Sequence, residues 1–413
     1  MSFGGARRRV ALAFFAILAS SLWVAAQKDA PLRVLFIGNS YTYFNNLPDV
    51  FRNLSEAGDQ VSVDVRMVAT GGWRLKDHWE KGAGRTVLQE HKWDYVVLQD
   101  QSMLGITYFV DGRPRVTGDE LFRPYAEHWM DEVFRAGAAP ILYLTWARKL
   151  TLEDQPALNY AYMRAARPKR AVVAPVGIAW EQVLRRHPEI ELFLKDGSHP
   201  SPAGTYLAAC TFFAAIFNRT PVGLPARVTG RPVHLKTEKV QTESAVLVDL
   251  PAQEARTLQS AAWSTWQELK QTGGYLDVAP VPAPKLPPLP AGKPLATADL
   301  TGTWSGNLLF YPSGPVHMTL RFDHEGNSWR GYLTLKYHSE DFGDESLDLS
   351  DVVIAERSLS FINPRSVGVD NLPVEFRGVS LRPDEMQGTA ETIQELPDAP
   401  PARLLGTWRL YRH

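Results

Sequence analysis

Residues 30–275 read as a doubly wound α/β unit on a parallel sheet, and residues 297–413 as an all-β, antiparallel barrel or sandwich. Three observations predict this. Short apolar runs of strand length alternate with stretches of helical period up to about residue 272, the pattern of a parallel sheet covered on both faces. A proline-rich stretch then interrupts the chain, and beyond it apolar and polar residues alternate with period two. The composition, 45% hydrophobic and 22% charged over 413 residues, allows a core in each part and argues against wholesale disorder or a multi-span membrane protein.

Taken in order, the chain opens with an address. Arg7, Arg8 and Arg9 precede the apolar run Val10–Ala19, and Val24-Ala25-Ala26 precedes Gln27. Residues 1–26 thus have the layout of a secretory signal peptide cleaved after Ala26, so the mature chain is expected to be periplasmic or secreted, with no stable membrane span. The strands expected next are Val34–Ile37, Val61–Met67, Tyr95–Leu98, Ile141–Leu144 and Ala171–Val176. Amphipathic helices are expected around Val50, Phe51 and Leu54, around Trp129, Val133 and Phe134, and around Tyr160, Met163 and Arg164. Another should start at Ser201, which can cap it, with Pro202 in its first turn and Tyr206, Leu207, Cys210, Phe213 and Phe217 on one face.

A last helical pattern runs from Pro251 through Leu258, Trp263 and Trp266. Seven prolines between residues 280 and 294 make 276–296 an extended, semi-rigid linker separating two domains. Past it, Met318–Phe322, Tyr332–Tyr337, Val374–Leu381 and Leu404–Tyr411 alternate as strands do.

Charge and cysteine content narrow the function classes. The 44 Lys and Arg balance 45 Asp and Glu, so no global field recruits nucleic acid or an anionic membrane. A single cysteine, Cys210, permits neither an internal disulfide nor a cysteine-built metal site. His78, His91 and His128 lack partners at metal-ligand spacing, and Asp77-His78 is expected at the surface. No cofactor is expected.

In an open parallel sheet, ligands bind outside the carboxyl ends of the strands. The first strand ends in Gly38-Asn39-Ser40-Tyr41-Thr42, the second in Thr70-Gly71-Gly72-Trp73 and the third in Gln99-Asp100-Gln101-Ser102. Ser40 follows a turn-permitting glycine by two residues, which presents its hydroxyl to the crevice. Asp196-Gly197-Ser198-His199 precedes the capped helix, and an acid three residues before a histidine can orient its ring on one turn. Ser40, Asp196 and His199 complete a nucleophile, acid and base. The Ser40 N–H, an N–H from Gly71-Gly72 and the Gln101 amide are candidate donors to a developing oxyanion. Tyr41, Trp73 and Trp146 are candidate substrate contacts, with Tyr43 and Trp79 also near the strand tips.

These ordered blocks, spanning about residues 33–218, resemble the SGNH (GDSL-like) hydrolase superfamily of esterases and lipases. The resemblance implies a flavodoxin-like sheet, Ser40 as nucleophile, Gly72 (or Gly71) and Gln101 in the oxyanion hole, and Asp196 and His199 as acid and base. Two departures stand out: Gln101-Ser102 occupies the place of the family's Asn-Asp pair, and Asn39 replaces the common Asp before the serine. Gly302-Thr303-Trp304 opens the β part with a G-x-W that resembles lipocalin-type barrels, implying a carbohydrate- or lipid-binding accessory role or a stabilising one. The expectation is an exported serine esterase of O-acetyl or other short-chain carboxylic esters on carbohydrate, a small molecule or polysaccharide. The alternative is a non-catalytic carbohydrate- or lipid-binding protein with a lapsed hydrolase unit.

Overall fold

The computed structural model describes residues 30–59, 61–295, 300–311, 314–326, 328–336, 345–364, 373–396 and 399–413. The signal-peptide reading of residues 1–26 lies outside the described residues. Five parallel strands form the first sheet: β1 (Leu32–Gly38), β2 (Val63–Ala69), β3 (Tyr95–Leu98), β6 (Ala139–Tyr143) and β7 (Val172–Ala174), in the order β2-β1-β3-β6-β7. All five fall on the expected apolar runs. The chain order reverses beside β1, so a crevice opens at the carboxyl ends of β1 and β3.

Alternation along the buried strands builds a core on each face. Val34, Phe36, Val97, Ile141 and Tyr143 pack with α2 (Leu47–Asp59), α7 (Val176–Arg186), α8 (Pro202–Phe217) and α9 (Ala252–Gln271). Leu35, Ile37, Val96, Leu98 and Leu142 pack with α3 (Leu75–Lys81), α4 (Ala83–Glu90), α5 (Arg123–Arg135) and α6 (Gln155–Lys169). A strand buried on both sides has no polar face to keep, which is why these runs read as continuously apolar. Ser201 caps α8 as expected, its Oγ accepting from Gly204 N at 3.1 Å with Pro202 at the first turn. Cys210 is a buried core residue.

The second sheet is antiparallel and nearly barrel-shaped. Its strands are β12 (Gly302–Tyr311), β13 (Gly314–Glu325), β14 (Ser328–Lys336), β15 (Glu345–Asp348), β16 (Ser350–Ile354), β17 (Leu359–Asn363), β18 (Val374–Arg382), β19 (Glu385–Leu396) and β20 (Ala399–Arg412), in the order β15-β14-β13-β12-β20-β19-β18-β17-β16. It is an up-and-down meander in which the first strand pairs with the last, Leu308 opposite Trp408. The tryptophans of both Gly-Thr-Trp tripeptides, Trp304 and Trp408, are buried in its core with Phe310, Phe361 and Phe376.

The proline-rich segment does not hold the two parts apart. Two short strands from the α/β unit, β4 (Thr107–Val110) and β5 (Arg113–Pro114), form a hairpin whose β4 pairs in parallel with Ala402–Leu405 of β20. β12 pairs with β20 only from Thr407 onward, so residues 402–405 offer a free edge that β4 fills. Asp111 fastens the joint by accepting from the backbone N–H and hydroxyl of Thr407, both at 2.8 Å. The linker is tied in at Pro284, whose carbonyl accepts from the Tyr108 hydroxyl at 2.6 Å.

Candidate active site

The turn after β1 is held from beneath by a buried amide. Gln99 Oε1 accepts from Asn39 N at 2.8 Å and from Thr42 Oγ1 at 2.9 Å, while Gln99 Nε2 donates to Asn39 Oδ1 at 2.9 Å and to the Asp100 carbonyl. Asn39 caps the short helix α1 (Ser40–Tyr43), accepting from Tyr41 N at 3.1 Å, and its Nδ2 reaches the Trp73 carbonyl. An Asn before the serine can therefore both donate and accept. Gly38 is a close-approach position: a Cβ there would sit 2.4 Å from Thr42 Oγ1 and 2.5 Å from Gln99 Oε1.

His78 departs from the expected surface position. It is fully buried, and its Nε2 donates to the Gly38 carbonyl at 2.7 Å. The register of α3 turns this residue under the serine turn. Burial pushes its pKa down despite the Gly38 bond, so the ring is held neutral.

Ser40 begins α1, and its Oγ makes no hydrogen bond to any described residue. It lines a cleft of about 340 Å³ together with Gly71, Gly72, Gln101 and His199. The two glycines differ in what their N–H groups do. Gly71 N donates to Glu238 Oε1 at 2.9 Å, whereas the N–H of Gly72 has no partner among the described residues. Gly72 sits at φ +73°, in the left-handed region that a glycine enters without strain. Gln101 Oε1 accepts from Met103 N at 2.6 Å. A backbone N–H can only donate, so this contact fixes which end of the amide is oxygen and leaves Nε2 as the unspent donor.

The tight turn before α8 presents Asp196 and His199. Asp196 Oδ1 accepts from Ser198 N at 2.8 Å and from His199 N at 2.9 Å, and its Oδ2 accepts from His199 Nδ1 at 2.6 Å. With the proton on Nδ1, Nε2 is the basic nitrogen. Burial raises the Asp196 pKa, but the His199 ring and the two backbone donors outweigh it and hold the carboxyl below its ordinary value. The imidazole lies flat on Phe44, centroids 4.1 Å apart and planes 14° apart, and meets the edge of Tyr41.

The aromatic expectations need two corrections. Trp146 is fully buried, stacked between Tyr41 and Trp180 with its indole N–H on the Ser198 carbonyl at 3.0 Å, so it braces the histidine turn rather than touching a substrate. The Trp73 ring does not line the cleft; it packs edge-on against His78 and under the Lys81 ammonium, 4.1 Å from the centroid. Tyr41 does line the cleft, although its side chain is almost wholly buried and its hydroxyl pairs with Ser198 Oγ at 2.7 Å. Tyr43, Phe44, Arg148 and Leu235 also line it. Arg148 follows the β6 tip, where the strand-end rule that found Ser40 would have found it. Leu235 comes from a short hairpin, β9 (Val233–His234) with β10 (Lys239–Val240), that carries no such signal.

No protein-family model matches the chain, and no curated protein matches it. Among solved structures it is similar to a DUF4886 family protein from Bacteroides uniformis at 18% identity and a TM-score of 0.40, covering 60% of this chain and 98% of that one. It is also similar to a mutant of Axe2, an acetyl-xylooligosaccharide esterase from a Geobacillus, at 17% identity and a TM-score of 0.36, covering 46% and 96%. A third is TesA, at 15% identity and a TM-score of 0.36, covering 45% and 97%.

Proposed function

We propose that this chain is an exported serine ester hydrolase of the SGNH type. The observation that carries the reading is the pairing of Asp196 with His199 Nδ1 at the rim of a cleft that also holds Ser40 and unspent N–H donors. Ser40 Oγ attacks the ester carbonyl; His199 Nε2 takes its proton and returns it to the leaving alcohol; water then repeats the sequence on the acyl-enzyme. Asp196 fixes the tautomer and stabilises the imidazolium. Ser40 N, Gly72 N and Gln101 Nε2 receive the oxyanion, and a longer Gln in place of Asn is accommodated because Met103 N anchors its oxygen. The proton transfer requires Oγ and Nε2 to come within hydrogen-bond reach of about 3 Å.

A cleft of about 340 Å³, closed behind by the Tyr41–Trp146 stack, fits a short acyl group such as acetyl, and the exported setting read from residues 1–26 fits a carbohydrate ester. In this reading the β meander is a lipocalin-like accessory unit clamped to the enzyme by β4. The test is hydrolysis of p-nitrophenyl esters of increasing chain length by the mature protein and by Ser40→Ala. Activity that falls with chain length and vanishes in the variant supports the reading. Equal rates in both proteins would sink it.

A further inference from the structure

The cleft holds a cation that the hydrolytic steps above do not use. Arg148 lines it with Ser40 and His199, and its Nε donates to the buried Ser102 Oγ at 3.1 Å. That single bond fixes the guanidinium, while its two terminal nitrogens have no partner among the described residues and no carboxylate within ion-pair distance. The acids that border the cleft make their contacts elsewhere. Asp196 is spent on His199 and two backbone N–H groups, and Glu238 on Gly71 N. The hairpin that contributes Leu235 to the cleft also carries the exposed Lys236 and Lys239. A half-buried guanidinium with a free planar fork matches a carboxylate in two-point geometry.

We infer that Arg148 is a specificity-determining residue and that the substrate is an ester carrying a carboxylate near its scissile bond. The inference rests on the ester-hydrolase reading for the position of that bond. Two sources supply this chemistry: an acylated sugar acid, with the carboxylate on the alcohol side, and the half-ester of a dicarboxylic acid, with it on the acyl side. An anion held by Arg148 gains a charge-assisted pair in a partly desolvated cleft, whereas a neutral analogue leaves the guanidinium unpaired.

Two matched pairs test the inference and separate the sources: O-acetylgalacturonate against its methyl ester, and p-nitrophenyl hydrogen succinate against p-nitrophenyl butyrate. The wild type should prefer the anionic member of one pair by at least tenfold in kcat/KM. Arg148→Gln should bring that ratio close to one, and Arg148→Lys, a point charge without the fork, should keep part of it. An absent preference in both pairs overturns the inference. So does an Arg148→Gln variant that slows both members of a pair equally, the mark of a structural role through Ser102. Calorimetric binding of galacturonate and succinate to the wild-type protein separates this failure from failure of the hydrolase reading. Arg148-dependent anion binding without ester turnover would keep the subsite and overturn the esterase; turnover without such binding would do the reverse.

Discussion

Gln99 is where the serine turn is most exposed to a single change. Its side chain makes four hydrogen bonds in a fully buried site, two as acceptor to Asn39 N and Thr42 Oγ1 and two as donor to Asn39 Oδ1 and the Asp100 carbonyl. Gln99→Leu keeps the volume and removes all four. A net value of about 1 kcal/mol per bond gives about 4 kcal/mol, and the orphaned buried Asn39 N–H alone accounts for about 1–3 kcal/mol of it. At about 2–4 °C per kcal/mol for a unit of this size, the melting temperature of the α/β transition should fall by about 8–16 °C. The variant that still folds should also lose hydrolysis, because Asn39, which caps α1 by accepting from Tyr41 N, then no longer holds the turn that orients Ser40. Calorimetric melting beside p-nitrophenyl acetate hydrolysis reads both effects. A shift below about 3 °C with full activity would refute the claim that Gln99 holds the nucleophile turn.

Other outcomes follow from the same geometry. Asp196→Asn leaves His199 Nδ1 without its anionic acceptor and should lower kcat by about 10²–10⁴-fold with little change in KM, as steady-state kinetics would show. Asp100, fully buried with Oδ2 unpartnered among the described residues, has its pKa pushed up to about 7 by burial, against the pull of Gln101 N and Arg74. The folded state therefore binds the proton more tightly than the unfolded one, and stability falls as pH rises from about 4 to about 7. Asp100→Asn should remove that slope and be the more stable protein at pH 8, by on the order of 4 kcal/mol at most, with the gap closing towards pH 4; melting temperatures at pH 5 and pH 8 check it. Asp111→Ala removes both bonds to Thr407 at the joint of the two units and should weaken it by about 1–2 kcal/mol, seen as faster protease cleavage within residues 276–296 while Asp111→Asn stays near wild type.

The sheet was legible because the inner strands β1, β3 and β6 are buried on both faces and so appear as short apolar runs, and the strand order places Ser40, Gly72 and Gln101 at neighbouring tips. The Asp196–His199 contact was legible from a spacing that one turn can close. What escaped the sequence depends on register and on distant pairing. His78 reads as a polar helix residue until the rotation of α3 turns it onto the Gly38 carbonyl. Trp146 and Trp73 stand near strand tips, where an aromatic serves equally as wall or as brace, and only the stack on Tyr41 and the Lys81 contact decide between them. The β4–β20 joint needs a free edge on a strand almost three hundred residues away in sequence, which no local pattern announces.

The proposed function stands on Ser40 being a nucleophile activated by His199. Treating the protein with a fluorophosphonate and mapping the adduct by mass spectrometry tests it most directly, since the reagent bonds only to an activated serine. One adduct is expected, on Ser40, formed much more slowly in His199→Ala and in Asp196→Asn. An unlabelled Ser40, or labelling that is indifferent to His199, would contradict it.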